Sequence, residues 1–599
     1  MLLCAGAWAQ VREPPGPVIQ PPAAPGEPPA AAASAPERAM AAYRWIDESL
    51  RAWADPDGDP PEVGAISGAA VAFRLGDSAL WRGTAMGGGA DSITRAFEHA
   101  RARARLPVPR DALYEQGVHE AAARIRLSLE LAGPLEEVWP ESFKELALSG
   151  QPGLDGVAVG LAERTEAVFP EAMLSLGMDS AAAARSLVSR LTDDPASALG
   201  TLAQIRDRLG VRFYRFRTIH LAQATPGDPP IFLHRGSQVV PIGAISTPML
   251  RQLASGIVEH LDRRRWPGPE PLGLMGTLDA ATGRFDPPIA PPFEQALTSF
   301  ALERASRCAS LDQDVRRRAL NAAREILRDL GDVSGDEREP WGDPVVAALC
   351  WIALQEMGID AQSPAAGMLK DRCAHRLAQP DAGAVPIASG RRALVAWALL
   401  RLGQRERAEA MILDIHLGSD AGRLVAQMPW LGWADMDRTR AGRPIAGAAA
   451  LEQMRQDLWA HQITAADVGT DGRDLIGGIV FTAGPRPLPD WRAARPLCFV
   501  ATMLGEPSLT DPGRSSRPIT DLMRSIRFLR QLAGDEASGS LFADPRRARW
   551  GIRDAPWSAK MSPHASAMTL LTLTEALNSL DRITAQTARG RAPGGPKNK

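Results

Sequence analysis

The segment Trp266-Pro267-Gly268-Pro269 divides the chain into two stretches of different periodicity. Before it, runs of period two mix with a few helical stripes. After it, from about Pro292 to Asp581, nearly every run is a helix of period 3.6, and Gly/Pro-rich turns separate the runs. The two prolines and the glycine have the composition of a linker, and each side carries its own apolar pattern, so two independently folding halves are expected.

On the N-terminal side, Ala65–Leu75 and Ala79–Arg82 flank Gly76-Asp77, a pair suited to a hairpin turn. Asp91 or Ser92 then caps a helix whose apolar stripe is Ile93, Ala96, Phe97, Ala100 and Ala104. Ala123, Ile125, Leu127, Leu129 and Leu131 alternate with Arg124, Arg126, Ser128 and Glu130, which predicts a strand with one face in the core and one in water. Val157–Leu161 with Arg164–Phe169 predicts a second hairpin, and Val211–Leu221 a long strand. Strands and helices in this order define an α+β domain rather than a βαβ array. Ser246-Thr247-Pro248 begins a further helix with the stripe Leu250, Leu253, Ile257 and Leu261, which closes this domain or bridges to the next.

On the C-terminal side, helices are predicted at Phe293–Ala309, Asp312–Leu330, Pro344–Met357, Ala365–Leu377, Ser389–Leu402, Arg405–Leu413, Ala446–His461, Asp490–Leu504, Thr520–Ala533 and Pro563–Leu580. Their even recurrence makes five or six helical hairpins in a closed ring. The last helix is apolar nearly all round, through Ala567, Met568, Leu570, Leu571, Leu573, Ala576 and Leu577, so it belongs in an inner layer covered on both sides.

The 599 residues, 45% hydrophobic and 23% charged, suffice for two substantial cores. A formal net charge of −2 leaves no electrostatic footprint for nucleic acid or an anionic membrane surface. No run of apolar residues is long enough to span a bilayer. Only five of the 68 basic residues are lysine, a bias of genome composition rather than of binding. Residues 1–9 resemble a truncated signal peptide ending in Ala7-Trp8-Ala9, so export to the periplasm or medium is expected, with a cytoplasmic chain as the alternative. Residues 10–40 read as a Pro/Ala-rich tether, and 583–599 as a disordered tail. Cys308, Cys350, Cys373 and Cys498 sit in apolar helical surroundings and are expected as buried free thiols.

Several segments, in order, carry a resemblance. Gly64–Ala69 through Phe73, Arg82-Gly83-Thr84-Ala85-Met86-Gly87, the strand Arg124–Leu131, Gly153-Leu154-Asp155-Gly156-Val157, Val168–Glu171 and Phe213–Phe216 are similar to the AMMECR-like domain family. The resemblance implies an AMMECR-like α+β fold over about 62–265 and, that family being poorly defined biochemically, little about activity. Thr84-Ala85-Met86 stands where the family has Cys-Ile, so a cysteine-based role is not expected here. The glycine, aromatic and Pro-initiated helix pattern of 276–293 and 539–563 resembles the α/α-toroids of the terpenoid cyclase and prenyltransferase group, which implies an (α/α)5-6 toroid over 273–582. That group's Asp-x-Asp-Asp acid motif is absent from the sequence, as is any recognisable zinc-ligand set.

Candidate site residues follow from chemistry. Trp430, Trp433, Asp435 and Asp437 are expected in one loop, and Trp550, Arg553, Trp557 and His564 in a second segment. Two carboxylates beside indoles suit acid-catalysed sugar or isoprenoid chemistry, with Asp435 or Asp437 as the acid and the other residues binding ligand. The bland alternative is a connecting loop whose tryptophans plug the core. His220 and His234 could meet on neighbouring strands but lack further zinc ligands, so they are expected as hydrogen-bonded sheet residues, and no metal or cofactor is expected. Asp55, Asp57 and Asp59 do not match an EF-hand loop, and Asp155 is expected to bond nearby amides in a turn. No nucleophile and base lie at a diagnostic spacing between Glu62 and Arg264, so no covalent catalysis is expected there. The sequence thus favours an exported binding or interaction protein of the cell envelope, taking a protein, small-molecule or glycan partner. The alternative is a toroid enzyme acting on a glycan or isoprenoid.

Overall fold

The computed structural model describes residues 36–590 apart from 77–78, 107–113, 333–341, 359–363, 387–389, 440–444, 446 and 482–487. Most of the proposed tether, the signal-like segment, Asp77 and the last nine residues lie outside the described residues.

The N-terminal region is α+β. Its strands are β1 (Gly68–Leu75), β2 (Ala79–Met86), β3 (Ile125–Ala132), β4 (Glu136–Val138), β5 (Asp155–Leu161), β6 (Arg164–Val168), β7 (Arg212–Ala222) and β8 (Ile231–Leu233). Its helices are α1 (Pro36–Ala52), α2 (Asp91–Arg103), α3 (Tyr114–Ala123), α4 (Phe143–Ser149), α5 (Pro170–Leu176), α6 (Ser180–Thr192) and α7 (Leu202–Leu209). The strands form one antiparallel sheet in the order β2-β1-β3-β7-β5-β6, with β4 and β8 also paired to β7. Both predicted hairpins and the long strand are present. The predicted α2 stripe is buried at Ile93, Ala96, Phe97 and Ala100. Its cap differs from expectation: Ala90 holds that position, and the Ser92 hydroxyl donates to the Gly89 carbonyl instead.

One helix is an addition. Pro36–Met40, read as the end of the tether, begin α1, whose Ala39, Ala42, Tyr43, Ile46 and Leu50 pack on the sheet with α2. The Tyr43 hydroxyl donates to the Leu127 carbonyl at 2.8 Å and so fixes α1 over β3.

The C-terminal region is helical, with α8 (Thr247–Arg263), α9 (Pro292–Ser306), α10 (Gln313–Asp332), α11 (Pro344–Glu356), α12 (Pro364–Ala378), α13 (Arg392–Arg401) and α14 (Arg405–Leu417). It continues through α15 (Ala421–Gln427), α16 (Trp430–Arg438), α17 (Ala448–Ala460), α18 (Ala494–Leu504), α19 (Ser516–Leu532), α20 (Pro545–Ala548) and α21 (Pro563–Gly590). As its apolar periphery requires, α21 is covered by α9, α18 and α8. It runs on through Gly590, so the tail read as disordered from 583 is helical over its first eight residues. Short strands β9 (Leu278–Asp279), β10 (Arg284–Phe285) and β11 (Lys560–Met561) pair antiparallel and clip the two ends of this region together. Cys308, Cys350, Cys373 and Cys498 are buried and free, as the helical surroundings imply.

Helix α8, expected to close the first domain or bridge to the next, packs in the helical core. Leu250, Leu253, Ile257 and Leu261 of α8 belong to the helical core, packed with α10 and α21, so Trp266–Pro269 is a turn inside that region. The Trp266 amide donates to the Gly273 carbonyl at 2.8 Å and closes the turn.

The seam between the two regions corrects the reading of β3. Alternation put Arg126, Ser128 and Glu130 in water, yet the whole strand is buried. Its apolar residues face α1 and α2; its polar face is covered by Glu171 of α5 and by the 539–542 turn of the helical region. Polar side chains tolerate this burial because they find partners, Ser128 and Glu130 within the α+β region and the arginines across the seam. Arg74 donates to the Ser540 and Leu541 carbonyls at 3.1 Å, and Arg126 to those of Gly539 and Phe542.

Candidate functional site

Two places at this seam concentrate ionisable side chains. The first is the buried polar face of the sheet. The β3–β7 register sets Glu130 opposite His220, and the next inward-facing residue of β3 is Ser128. The Glu171 amide at the start of α5 donates to Glu130 Oε1 at 3.2 Å, and Thr218 Oγ1 donates to the same oxygen at 3.3 Å. His220 Nε2 lies 2.9 Å from Ser128 Oγ and 3.4 Å from Glu171 Oε2, while the Ser128 hydroxyl donates to Glu171.

The two carboxyls are driven apart. Burial raises Glu130 to about 7, partly opposed by His220, so it keeps its proton near neutrality. Burial also raises Glu171, but the His220 hydrogen bond, the charges of His220 and Arg82, and Ser128 outweigh it and hold Glu171 at about 2. Burial pulls His220 down, and the Glu171 hydrogen bond and both carboxyls more than restore it, so its pKa rises. Below about pH 7 the cluster therefore favours an ionised Glu171 and a protonated Glu130, with the His220 imidazole pushed toward its protonated form.

Ser128 and His220, 92 residues apart in sequence, form a hydroxyl–imidazole contact that spacing could not reveal. Their geometry is not that of an activated nucleophile. The serine proton goes to Glu171, the same imidazole nitrogen serves both partners, and Ser128 is only 4% exposed.

The second place is a cleft of about 830 Å³ lined from both regions. The α+β region contributes Pro152 and Gly153, Met173 and Leu174 of α5, and the 177–180 turn; the helical region contributes Asp490, Trp491, Arg492, Asp554, Trp557 and Lys560. The Gly-Leu-Asp-Gly motif builds this wall. Gly153 has φ +75°, and a Cβ there would lie 3.2 Å from Trp557 Cβ and 3.1 Å from Arg235 Cγ, so glycine is what lets the turn close on the tryptophan. Asp155 bonds the Gln151 amide as a turn residue should, and it also pairs with Arg217 at 2.8 Å. Arg217 reaches Asp471 of the helical region at 3.1 Å.

Beneath the cleft, Arg235 and Asp474, both 0% exposed, form an ion pair across the seam. Arg235 also donates to the Pro152 carbonyl at 2.9 Å and to Gln151 Oε1 at 3.2 Å. His234 Nε2 contacts the Asp471 carbonyl at 3.0 Å and Asp474 Oδ1 at 3.3 Å. His220 and His234 thus serve separate networks. Among the described residues no group of His, Cys, Asp and Glu is arranged to hold a metal ion.

The sequence-predicted site residues divide between the core and this cleft. Trp430, Trp433, Asp435 and Asp437 lie on α16, a helix, where the sequence reading placed a loop. Asp435 is fully buried, with His416 Nε2 at 2.9 Å and Arg438 Nε at 2.8 Å. Asp437 accepts from Trp397 Nε1 at 2.7 Å. Trp430 and Trp433 pack with Trp397 and Phe300 at centroid separations of 5.3–6.2 Å, and the Arg304 guanidinium lies 4.6 Å from the Trp433 centroid. Arg304 is held by Glu356 at 2.8 and 2.9 Å and by Glu575 at 3.0 Å, so a cation belonging to the protein fills the aromatic box.

In the second predicted segment, the Trp550 indole lies on α8 where Gly256 leaves room, since a Cβ there would come within 2.3 Å of the ring. Arg553 is fully buried and donates to the Arg235, Pro556 and Gln531 carbonyls. His564 packs against Trp491 at 4.6 Å and Phe293 at 5.5 Å; burial, reinforced by Arg495, Arg391 and Arg492, lowers it to about 3, so it stays neutral. Trp557 lines the cleft. Asp490, Trp491 and Asp554 were not singled out from sequence. Trp-Arg and Arg-Asp in turns carry no motif, and only tertiary folding brings residues 490 and 554 together.

No family model matches the chain, and no curated protein matches it. Among solved structures, the crystal structure of the uncharacterized protein PH0010 from Pyrococcus horikoshii is similar at 16% identity, over 33% of this chain and 95% of that one, with a TM-score of 0.23. A likeness that slight bears on neither fold nor function. Among the described residues no helix is long and apolar enough to cross a membrane.

Proposed function

We propose that the protein is a binding protein whose ligand site is the seam cleft, and that the ligand is a glycan or related cyclic polyol. The observation that carries this reading is the cleft itself: about 830 Å³, within the usual range for small-molecule sites, with two indoles beside several polar groups. Indole faces suit the apolar face of a sugar ring, and the carboxylates of Asp179, Asp490 and Asp554 suit its hydroxyls. The aromatic box of the helical region is filled by the Arg304 guanidinium, which favours the seam over that interior.

In this reading the N-terminal region is an AMMECR-like module. The helical region is an α/α-toroid, consistent with the packing of α9 on α21 and the β9–β11 clip. Export to the cell envelope, where glycans are abundant, fits the Ala7-Trp8-Ala9 pattern.

The test is calorimetric titration of the full chain with a panel of neutral and acidic oligosaccharides. Trp491→Ala and Trp557→Ala should each weaken binding at least about tenfold, roughly the loss of one stacking face. Trp433→Phe, remote in the core, should leave affinity unchanged. Binding unaffected by both cleft variants, or no binding across the panel, would remove the support for this reading.

A further inference from the structure

The two carboxylates of the helical wall are inequivalent, and the backbone ties them together. The Trp491 amide donates to the Asp554 carbonyl at 3.1 Å. Asp490 caps the turn Trp491–Ala493, accepting from the Arg492 amide at 2.7 Å and from Arg492 Nη1 at 2.6 Å. Asp554 is held differently. Its amide donates to the Lys560 carbonyl at 2.8 Å, and its Oδ1 accepts from Ser562 at 3.3 Å.

We propose that the cleft cleaves glycosidic bonds, with the Asp554 carboxyl as general acid and the Asp490 carboxylate supporting the positive charge that develops on the sugar ring. This rests on the cleft being a glycan site and adds a reaction to it. Asp554 gives its proton to the bridging oxygen as the C–O bond breaks and the electron pair leaves on that oxygen. Water adds to the oxocarbenium carbon and passes its surplus proton to Asp554. The acid is regenerated, and the sum is R–O–R′ + H2O → R–OH + R′–OH. Trp491 and Trp557 stack on the sugar and shield the site.

The environment of Asp554 fits the role. Facing it are Asp490 and Arg492 from their turn, Lys560 of β11, Arg264 just after α8 and Glu294 of α9. Burial, joined by the neighbouring Asp490, raises its pKa to about 6 against the lowering effects of Ser562 and Arg492, so a fraction remains protonated near neutrality. Two carboxyls held in unlike settings on one wall are suited to divide acid and charge-supporting roles.

The full chain is assayed with 4-methylumbelliferyl glycosides, and binding of the matching oligosaccharides is followed by calorimetry on the same samples. Fluorophore release should fall about tenfold per pH unit above about 6, as the acid loses its proton. Asp554→Asn should cut release at least about 100-fold with a much smaller loss of oligosaccharide affinity, since the amide still hydrogen-bonds the sugar. Asp490→Asn should lower release and move the pH limb downward, because the Asp490 charge helps hold the Asp554 proton. Retained binding shows that a variant is folded. Binding without release by the wild type, or release surviving Asp554→Asn, overturns the catalytic assignment and leaves the binding reading standing. No binding at all overturns both.

Discussion

Replacing Arg235 by methionine tests how the two regions are joined. The side chain is fully buried. It contacts Asp474 and Asp471 on the helical side and Pro152 and Gln151 on the α+β side, so one residue bridges the seam. Methionine keeps most of the apolar stem but removes the closest cation from the buried Asp474 carboxylate, leaving the hydrogen-bonding His234 and the more distant Arg527 and Arg553 guanidiniums. Breaking one partner of a buried ion pair costs about 3–5 kcal/mol, and the lost hydrogen bonds to neutral acceptors fall within that range rather than adding fully to it. The surface pair Arg38–Glu62, 3.6 Å apart and 42% and 87% exposed, is the control: Arg38→Ala should cost under about 1 kcal/mol. The assay is urea unfolding of the full chain followed by tryptophan fluorescence, with limited proteolysis mapping which side opens. Arg235→Met should lower the first transition by the larger amount and expose sites near 150–156 and 471–476. Equal midpoints for Arg235→Met and Arg38→Ala would refute the view that buried charges at the seam hold the regions together.

Three further outcomes follow from the same contacts. Asp435→Asn should destabilise the protein by about 2–4 kcal/mol in a denaturant melt, because His416 and Arg438 lose a buried counter-charge; an unchanged midpoint would show that Asp435 is solvated. Glu130→Gln should flatten the pH dependence of stability between about 4.5 and 7. The folded state raises this carboxyl to about 7 and binds the extra proton in that window, so wild-type stability falls as pH rises through it, whereas the glutamine variant should gain relative stability toward pH 8; parallel wild-type and variant curves over pH 5–8 would contradict the shift. The fragment 36–240 expressed alone should aggregate or bind hydrophobic dyes, because Arg74, Arg126 and the cleft wall lose their covering; a cooperative melt equal to that of the full chain would refute this.

Much of the fold was legible because apolar periodicity reports local structure. Alternation located β3 and β7, and the 3.6 period located nearly every long helix. Errors arose where tertiary context overrides the pattern. The polar face of β3 looks solvent-facing until the 539–542 turn covers it, and nothing local announces that Arg126 will donate to carbonyls more than 400 residues away. Trp266–Pro269 has linker composition but serves as a turn, since the partners of α8 lie in the helical core. α16 was missed because Pro429, Gly432 and two tryptophans weaken its helical pattern, while packing on Phe300 and Trp397 stabilises it. Of the candidate site residues, Trp557 alone lines the cleft. Asp490 and Asp554 each occupy an ordinary capping or turn context, and their significance comes from sharing a cavity wall.

The measurement that bears most directly on the seam cleft as the functional site is a crystal structure of the full chain soaked with the tightest-binding oligosaccharide of the calorimetric panel. The account predicts sugar density in the cleft, with one ring against Trp491 or Trp557 and hydroxyls within hydrogen-bond distance of Asp490 or Asp554. Sugar density elsewhere on the protein, with the cleft left empty, would contradict it.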